Sequence, residues 1–337
     1  MSLQQNNTMK AAILENAGGN FKISAIAIPE PAENQVLVKI YASGVNPLDV
    51  KIRAGKAAHA KHPFPAILGV DMAGVVVALG ANVTDFKIGD EVYGLTGGIG
   101  GVQGTLAEYT VSDTDLLALK PSNFSMEEAA ALPLAFITAW EGLVDRANVQ
   151  PGKKVLVQGG AGGVGNLIVQ IAKAFGAEVY ATGSAKSLKT IELLGAVGID
   201  YQEQTVADYV NEYTDGEGFD IIYDTVGGET LDASFKAAKV YHGHVVSCLG
   251  WGTHALAPLS FKGATYSGVF TLLPVLTGKG RKHHGEILKE AAKLAEAGKL
   301  KVLKDTVKYT FDHLNDAHLA VENGASAGKV VVQIHTL

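Results

Sequence analysis

The sequence predicts an α/β fold in two parts: a doubly wound parallel sheet, and a separate compact unit of short β-strands. Three observations predict it. An apolar run, Val155-Leu156-Val157, leads into Gly160, Gly162 and Gly165, spaced G-x-G-x-x-G, and an amphipathic helical pattern follows at once. Beyond that point strand-like runs alternate with helical ones as far as Phe270. Before it, the first third of the chain is cut into short β-branched runs by Gly, Pro and Asn.

Taken in order, Gln35–Ile40 puts Val36, Val38 and Ile40 on one face of a strand. Ile67 to Gly80 is apolar and Gly-punctuated around Val75-Val76-Val77, and Asp90–Tyr93 and Ala107–Val111 continue the β pattern. Near Ser125 the texture changes. Ser125 with Glu128 three residues on is a capping box, opening an Ala-rich helix up to Pro133. Strands are then expected at Val155–Gln158, Glu178–Thr182, Ile199–Tyr201, Asp220–Asp224, His244–Cys248 and Ala264–Phe270. Helices fill most of the gaps at Val164–Phe175, Lys186–Leu194, Val206–Tyr213 and Thr230–Ala238. Six such strands complete two mononucleotide-binding halves. The tail holds a charged helix at Glu286–Gly298, the run Leu303–Tyr309, a helix at Leu314–Asn323 and a final strand at Lys329–His335. With no Pro/Ser linker and no internal repeat, the tail is expected to return to the first part.

Composition narrows the function. The 337 residues suit two domains, and 47% hydrophobic against 18% charged residues supports a sizeable core. A net charge of −6 with no basic cluster argues against a nucleic-acid partner, and no like-charge block reads as a membrane patch. Cys248 is the only cysteine, which excludes an internal disulfide and a Cys-rich zinc lobe. Its apolar run, His244–Leu249, reads as the setting of a buried structural thiol. The polar opening MSLQQNNTMK, with a second start-like methionine at Met9, lacks the apolar core of a secretory signal. The longest apolar stretch, Ala129–Trp140, is interrupted by Pro133 and too short to span a bilayer. A soluble cytoplasmic protein is expected.

The glycine loop is the first candidate site. After Gly165 the apolar residues Leu167, Ile168, Ile171, Ala172 and Phe175 share one helix face, and Gly176 is a natural C-cap. With a strand before and a strand after, Gly160, Ala161, Gly162, Gly163, Val164 and Gly165 read as a loop whose backbone N–H groups receive a dinucleotide pyrophosphate. An NAD site places an acid at the end of the second strand, to hold the ribose 2′-hydroxyl. Here that stretch is Ala181-Thr182-Gly183-Ser184-Ala185-Lys186, with no acid. The Ser184 hydroxyl and the Lys186 cation suit a 2′-phosphate, so the expected cofactor is NADPH. The alternative, that Lys186 and Lys189 are solvated helix charges, stays open.

These residues sit in a pattern that resembles the medium-chain dehydrogenase/reductase superfamily, and within it the zinc-free, zeta-crystallin-like quinone oxidoreductase branch. The resemblance runs from about Met9 to Ile334. Its segments include Ala42–Asp49 (ASGVNPLD), Leu68–Val75 (LGVDMAGV), Phe86–Gly94 (FKIGDEVYG), Leu132-Pro133-Leu134 with Thr138-Ala139, the glycine loop, Asp224–Gly228 (DTVGG) and Gly328–Val331 (GKVV). It implies a GroES-like β-barrel catalytic domain from residues 1–131 and 275–337, a Rossmann domain at 132–274 inserted between them, an active site in the cleft, and a homodimer or homotetramer. It implies that Tyr201 lines the 2′-phosphate pocket and that Asn46 and Thr138 lie near the nicotinamide. Phe270 and Lys329 join the cofactor-binding set on the same basis.

Zinc alcohol dehydrogenases of that superfamily carry metal ligands where this chain has Asn46, Val70 and, approximately, Leu134, none of them a usual zinc ligand. The pairs His59/His62, His242/His244 and His283-His284 lack a third ligand at suitable spacing and read as surface histidines. Without a Lewis acid, hydride addition to an isolated carbonyl leaves an unsupported alkoxide. In a quinone or an α,β-unsaturated carbonyl the charge instead spreads into a phenolate or enolate, which hydrogen-bond donors can stabilise. The expected activity is therefore NADPH-dependent reduction of quinones or enones. An alcohol dehydrogenase-like enzyme and a non-catalytic NADPH-binding sensor are the alternatives. Asn46 and Tyr93 are the catalytic candidates. Asn46 reads equally as a donor in the site or a turn residue before Pro47, and Tyr93 either reaches the site or packs. The segment Gly94–Gly104, GLTGGIGGVQG, is either a mobile lid or a connection.

Overall fold

A computed structural model describes residues 7–336; the polar opening Met1–Asn6 and Leu337 lie outside the described residues. The chain forms two units. One runs to Leu134 and resumes at Leu272; the other is Ala135–Thr271.

The first unit begins with strands β1 (Thr8–Leu14), β2 (Lys22–Ala27) and β3 (Gln35–Gly44). Helix α1 (Pro47–Arg53) follows, then β4 (Ala66–Ile67), β5 (Asp71–Leu79), β6 (Glu91–Leu95), β7 (Tyr109–Asp113) and β8 (Leu117–Leu119). Strand β3 is its spine. Alternation buries Val36, Val38 and Ile40, which pack on Met72, Val76, Phe86, Val92 and Leu117. Pairing between β3 and β5 carries two register shifts, at Leu37/Val38 and Ile40/Ala42. Such irregularities bend strands and help a sheet curl.

Helix α2 (Met126–Ala130) carries the expected Ser125/Glu128 capping box. Pro133 does not end the helical region: it opens a new helix, α3 (Pro133–Trp140), at the position where a missing N–H costs nothing. The helix then widens into a π-helical turn over Glu141–Arg146.

The second unit alternates β9 (Lys154–Gln158), α4 (Gly165–Ala174), β10 (Glu178–Gly183), α5 (Ala185–Leu193), β11 (Val197–Asp200), α6 (Val206–Thr214), β12 (Ile221–Asp224), α7 (Glu229–Ala237), β13 (His244–Ser247), α8 (Ala257–Lys262) and β14 (Thr265–Gly268). The six strands are all parallel, in the order β11-β10-β9-β12-β13-β14. The order reverses between β9 and β12, the switch point where open α/β sheets bind ligands. Leu156, Ile222 and Val245 on the central strands pack against Phe219, Phe235 and Tyr209.

The tail returns to the first unit. After α9 (Leu273–Thr277) and α10 (Arg281–Glu296), the run expected at Leu303–Tyr309 yields only the two-residue β15 (Tyr309–Thr310), followed by α11 (Leu314–Glu322) and β16 (Val331–Gln333). Strand β16 pairs antiparallel with the end of β3, Val331 opposite Gly44, completing a seven-stranded sheet. His284, expected at the surface, is fully buried on α10. Among the described residues no helix is long and apolar enough to cross a membrane.

Candidate active site

The glycine loop is built by backbone packing. Gly159 closes β9 in the left-handed region, φ +77°. Its N–H donates to Thr182 Oγ1 at 3.1 Å, and the Gly160 N–H donates to the Thr182 carbonyl at 2.9 Å, fastening the loop to β10. A Cβ on Gly160 would lie 2.4 Å from Ala181 Cβ, and one on Gly165 would lie 2.1 Å from the Gly159 carbonyl oxygen. These glycines let strand and helix approach. Gly163 faces open space, with nothing within 4 Å of its added Cβ. Asn166 Nδ2 ties back the carbonyls of Gly162 (2.8 Å) and Gly163 (2.9 Å). Among the described residues the N–H groups of Ala161, Gly163 and Val164 have no protein acceptor. Oxygens turned in and donors left free make a cradle that fits an anionic pyrophosphate.

Beside the loop, at the carboxyl ends of β9, β10 and β12, lies a cavity of about 670 Å³. Gly159, Gly183, Tyr201, Tyr209, Val226 and Thr230 are among its lining residues. Tyr201 is 57% exposed, and its peptide N–H donates to the Gly183 carbonyl at 3.3 Å. Ser184 directly follows Gly183 as the N-cap of α5, and Lys186 is exposed in that helix's first turn. Ser184 and Lys186 thus follow β10, and Tyr201 follows the neighbouring β11, whose last residue, Asp200, pairs with Gly183. Glu229, in the first turn of α7, also lines the cavity; nothing in the motif spacing signalled it.

Further along this unit, Thr138 is buried with its Oγ1 3.0 Å from Thr271 Oγ1, and Thr271 Oγ1 donates to Glu141 Oε2 at 3.3 Å. The Thr138 carbonyl accepts from the Tyr223 hydroxyl at 2.6 Å. A Cβ on Gly142 would stand 2.3 Å from the Tyr223 ring, so this glycine in the π turn makes room for it. Phe270, next to Thr271, meets Trp251 edge-on at 6.0 Å. Asp224, at the end of β12, accepts from the N–H groups of Val226 and Gly227 and from Ser247 Oγ, fixing the DTVGG turn. Burial pushes the Cys248 thiol up to about 12, consistent with a structural thiol and against a nucleophile.

In the first unit, Asn46, Asp49, Asp71 and Lys329 form a buried polar cluster. Asn46, 2% exposed, precedes Pro47 at the start of α1. Its Nδ2 donates to Asp71 Oδ2 at 2.8 Å, and its Oδ1 accepts from the Lys329 ammonium. Asp71 Oδ1 accepts from the Leu134 peptide N–H at 2.9 Å, and Lys329 Nζ lies 3.7 Å from Asp71 Oδ2. Asp49 Oδ2 accepts from the Asn46 peptide N–H at 2.8 Å, while its Oδ1 has no partner. Burial raises both carboxyls. Asp49 reaches about 7; Asp71 is drawn back by Lys329, Asn46 and Leu134. Burial lowers Lys329, opposed by Asp71 and Asp49.

One expectation needs correction. Tyr93 is not a catalytic group: it is completely buried, and its hydroxyl donates to the Leu288 carbonyl on α10 at 2.5 Å. Burial also holds that hydroxyl above the ordinary tyrosine range. The Lys329 ammonium, expected at the cofactor, meets Asn46 Oδ1 and stands near Asp71. The Gly94–Gly104 segment is a packed connection, with Ile99 fully buried, the Gly100 N–H donating to the Ala60 carbonyl and the Gly104 N–H to that of Ile67.

A zinc ion does not fit where metal-dependent members carry theirs. Asn46 has spent its amide oxygen on an ammonium, Val70 is apolar and fully buried, and Leu134 offers no side-chain donor. Among the described residues no group of three or more His, Cys, Asp or Glu side chains is placed to hold a metal.

Residues 32–122 match the alcohol dehydrogenase GroES-like domain family, and residues 194–332 match the zinc-binding dehydrogenase family. The chain is 41% identical over 320 residues to a 2-methylene-furan-3-one reductase of Solanum lycopersicum, covering 92% of this chain and 74% of that one. It is 38% identical over 335 residues to a chloroplastic NADPH-dependent alkenal/one oxidoreductase of Arabidopsis thaliana, covering 96% and 79%. The crystal structure of an alcohol dehydrogenase superfamily protein from Novosphingobium aromaticivorans superposes with a TM-score of 0.95 at 53% identity, covering 97% of this chain and 100% of that one. The chain belongs to the medium-chain dehydrogenase/reductase superfamily.

Proposed function

We propose that the protein is an NADPH-dependent reductase of α,β-unsaturated carbonyls, with quinones as a second acceptor class, working without zinc. The observation that carries this reading is the Asn46–Asp71–Lys329 cluster. Where zinc-dependent members bind a Lewis acid, this chain holds a lysine cation and an amide. An amide N–H can steady a delocalised enolate or phenolate, whose charge is already spread, but is a poor substitute for a metal on an alkoxide. The names of the relatives from Solanum lycopersicum and Arabidopsis thaliana point to the same acceptor class.

The N–H groups of Ala161, Gly163 and Val164 bind the cofactor pyrophosphate. Ser184 and Lys186, after the end of β10 that carries no acid, and Tyr201, after β11, take its 2′-phosphate. Thr138 and Phe270 flank the nicotinamide, and Asn46 donates to an oxygen of the reacting partners. When bound, the nicotinamide supplies the hydride. The chain's own part is to orient the acceptor and to place a donor where charge develops. Steady-state rates on a panel of enones and quinones with NADPH and with NADH test this. Turnover with a clear NADPH preference is expected; no turnover on any acceptor would overturn it. We also take the protein to act as a cytoplasmic homodimer or homotetramer, which light scattering at working concentration checks.

A further inference from the structure

Most polar side chains lining the cavity beside the glycine loop are committed to other groups of the protein. Thr182 Oγ1 donates to Gln158 Oε1 at 2.8 Å, and the Gln158 side chain also hydrogen-bonds the Tyr209 hydroxyl. Gln204 Nε2 donates to Glu212 Oε2 at 2.8 Å, and Thr205 Oγ1 to Asp208 Oδ2 at 2.7 Å. Apart from Tyr201, that leaves Glu229 and Thr230, at the start of α7. Neither side chain has a hydrogen-bond or ion-pair partner among the described residues. The Thr230 hydroxyl rotates and can donate or accept, so it discriminates little between ligand groups; the Glu229 carboxylate only accepts. Its place in the fold selects the donor it meets. In the strand order β10-β9-β12, Glu229, after β12, stands across the loop of β9 from Ser184 and Lys186, after β10. The adenosine half of NADPH carries two kinds of neutral donor, the ribose 3′-hydroxyl and the adenine 6-amino group. The 3′-hydroxyl adjoins the 2′-phosphate, where a carboxylate would face like charge. The 6-amino group lies at the far end of the base. Val206 and the 52% exposed Val226 line the same cavity and offer apolar surface to the faces of a base.

We propose that Glu229 selects the base of the cofactor: its carboxylate accepts a hydrogen bond from the adenine 6-amino group and rejects a purine with a carbonyl at that position. This rests on the NADPH-binding reading above. A 6-carbonyl purine would lose the bond and also set oxygen lone pairs against the carboxylate, so selection works by attraction and by repulsion. Glu229 is exposed at the cavity rim, which puts its discrimination at the low end for hydrogen bonds to a charged group. The base takes no part in hydride transfer, so the effect falls on cofactor binding.

Fluorescence titration of the full-length protein with NADPH and with its 6-deamino analogue, in which hypoxanthine replaces adenine, tests the assignment. Wild type should bind NADPH about tenfold more tightly than the analogue, the scale of one hydrogen bond to a charged group. The amide of E229Q donates as well as accepts, so that variant should bind the two within about twofold of each other. E229A, which removes the group, should lose the discrimination as well. Equal affinity of wild type for the two cofactors would overturn the proposal. So would an E229Q ratio that stays at the wild-type value; joined to a lower Tm, that result would reduce Glu229 to a charge at the helix end. A shift in the NADPH/NADH affinity ratio of E229Q larger than the shift in its base ratio would put the carboxylate at the ribose, and also overturn it. Wild-type protein that binds neither NADPH nor NADH would defeat the cofactor reading itself. A wild type that binds NADPH and ignores the base would defeat only the role of Glu229.

Discussion

Replacing Asp49 with asparagine should stabilise the protein, and increasingly so as pH rises. Asp49 is 1% exposed, accepts one hydrogen bond through Oδ2 and leaves Oδ1 without a partner. Burial lifts its carboxyl from 3.8 to about 7, the nearby Asp71 adding to the lift and Lys329 reducing it. An acid raised on folding keeps a proton that the unfolded chain has already released. Its contribution to stability is therefore intact below pH 3.8 and declines as pH climbs from there to about 7. At about 1.4 kcal/mol per pH unit, the folded state has lost about 4 kcal/mol by pH 8. The asparagine of D49N would keep an acceptor for the Asn46 peptide N–H and stay neutral at every pH. The remaining Asp71–Lys329 pair would then be balanced in charge. Urea unfolding of wild type and D49N at pH 5 and pH 8 measures the effect. D49N should gain up to about 4 kcal/mol at pH 8 and much less at pH 5. Equal pH dependence in the two proteins, or a D49N loss of the same size at both pH values, would show that Asp49 is not the group held protonated by folding.

Three further perturbations have defined outcomes. G160A should abolish NADPH binding measured by fluorescence titration and lower Tm, because its Cβ would meet Ala181 Cβ at 2.4 Å, whereas G163A, facing open space, should leave Tm near wild type. S184D, placing an acid at the end of β10, should lower the NADPH/NADH ratio of kcat/KM by roughly 10–100-fold, the scale of one charged hydrogen bond lost and a repulsion gained; an unchanged ratio would move the 2′-phosphate site elsewhere. His318 is buried edge-on against Phe21, has no hydrogen-bond partner at either ring nitrogen, and is pushed down to about 3 by burial and by Arg53. The folded state refuses a proton that the unfolded chain accepts below 6.5. Stability should therefore fall by about 1.4 kcal/mol per pH unit from there toward pH 3, and H318F should flatten that acid limb in thermal unfolding.

The parallel sheet is the most legible part of the sequence. Its central strands β9, β12 and β13 are buried on both faces and read as apolar runs, and all six strands appear close to their expected positions, with β9 and β10 extended by a single residue. Local patterns serve less well where one residue has two opposite uses. Pro133 is a stop signal read from the N-terminal side and a start signal read from the other, and only the bend after α2 selects the second. Tyr93 reads as available because strand alternation does not reveal what covers a face; α10, from 195 residues later in the chain, supplies the carbonyl that takes its hydroxyl. Gly98 lies in a segment that reads as either a lid or a connection, and its φ of +72° and a Cβ position 2.4 Å from the Gly69 carbonyl oxygen mark a place where two backbones touch. The meeting of Asn46 with Lys329 depends wholly on β16 pairing with β3, which no periodicity within either segment encodes.

Everything proposed for this site turns on hydride transfer from NADPH to an activated double bond without a metal. A direct test uses NADPH deuterated at nicotinamide C4, an enone, and protein shown by elemental analysis to be free of zinc. Turnover should be undiminished after chelation, with deuterium at the β-carbon of the saturated product. A requirement for stoichiometric zinc, or deuterium on the carbinol carbon of an unsaturated alcohol, would contradict metal-free reduction of the double bond.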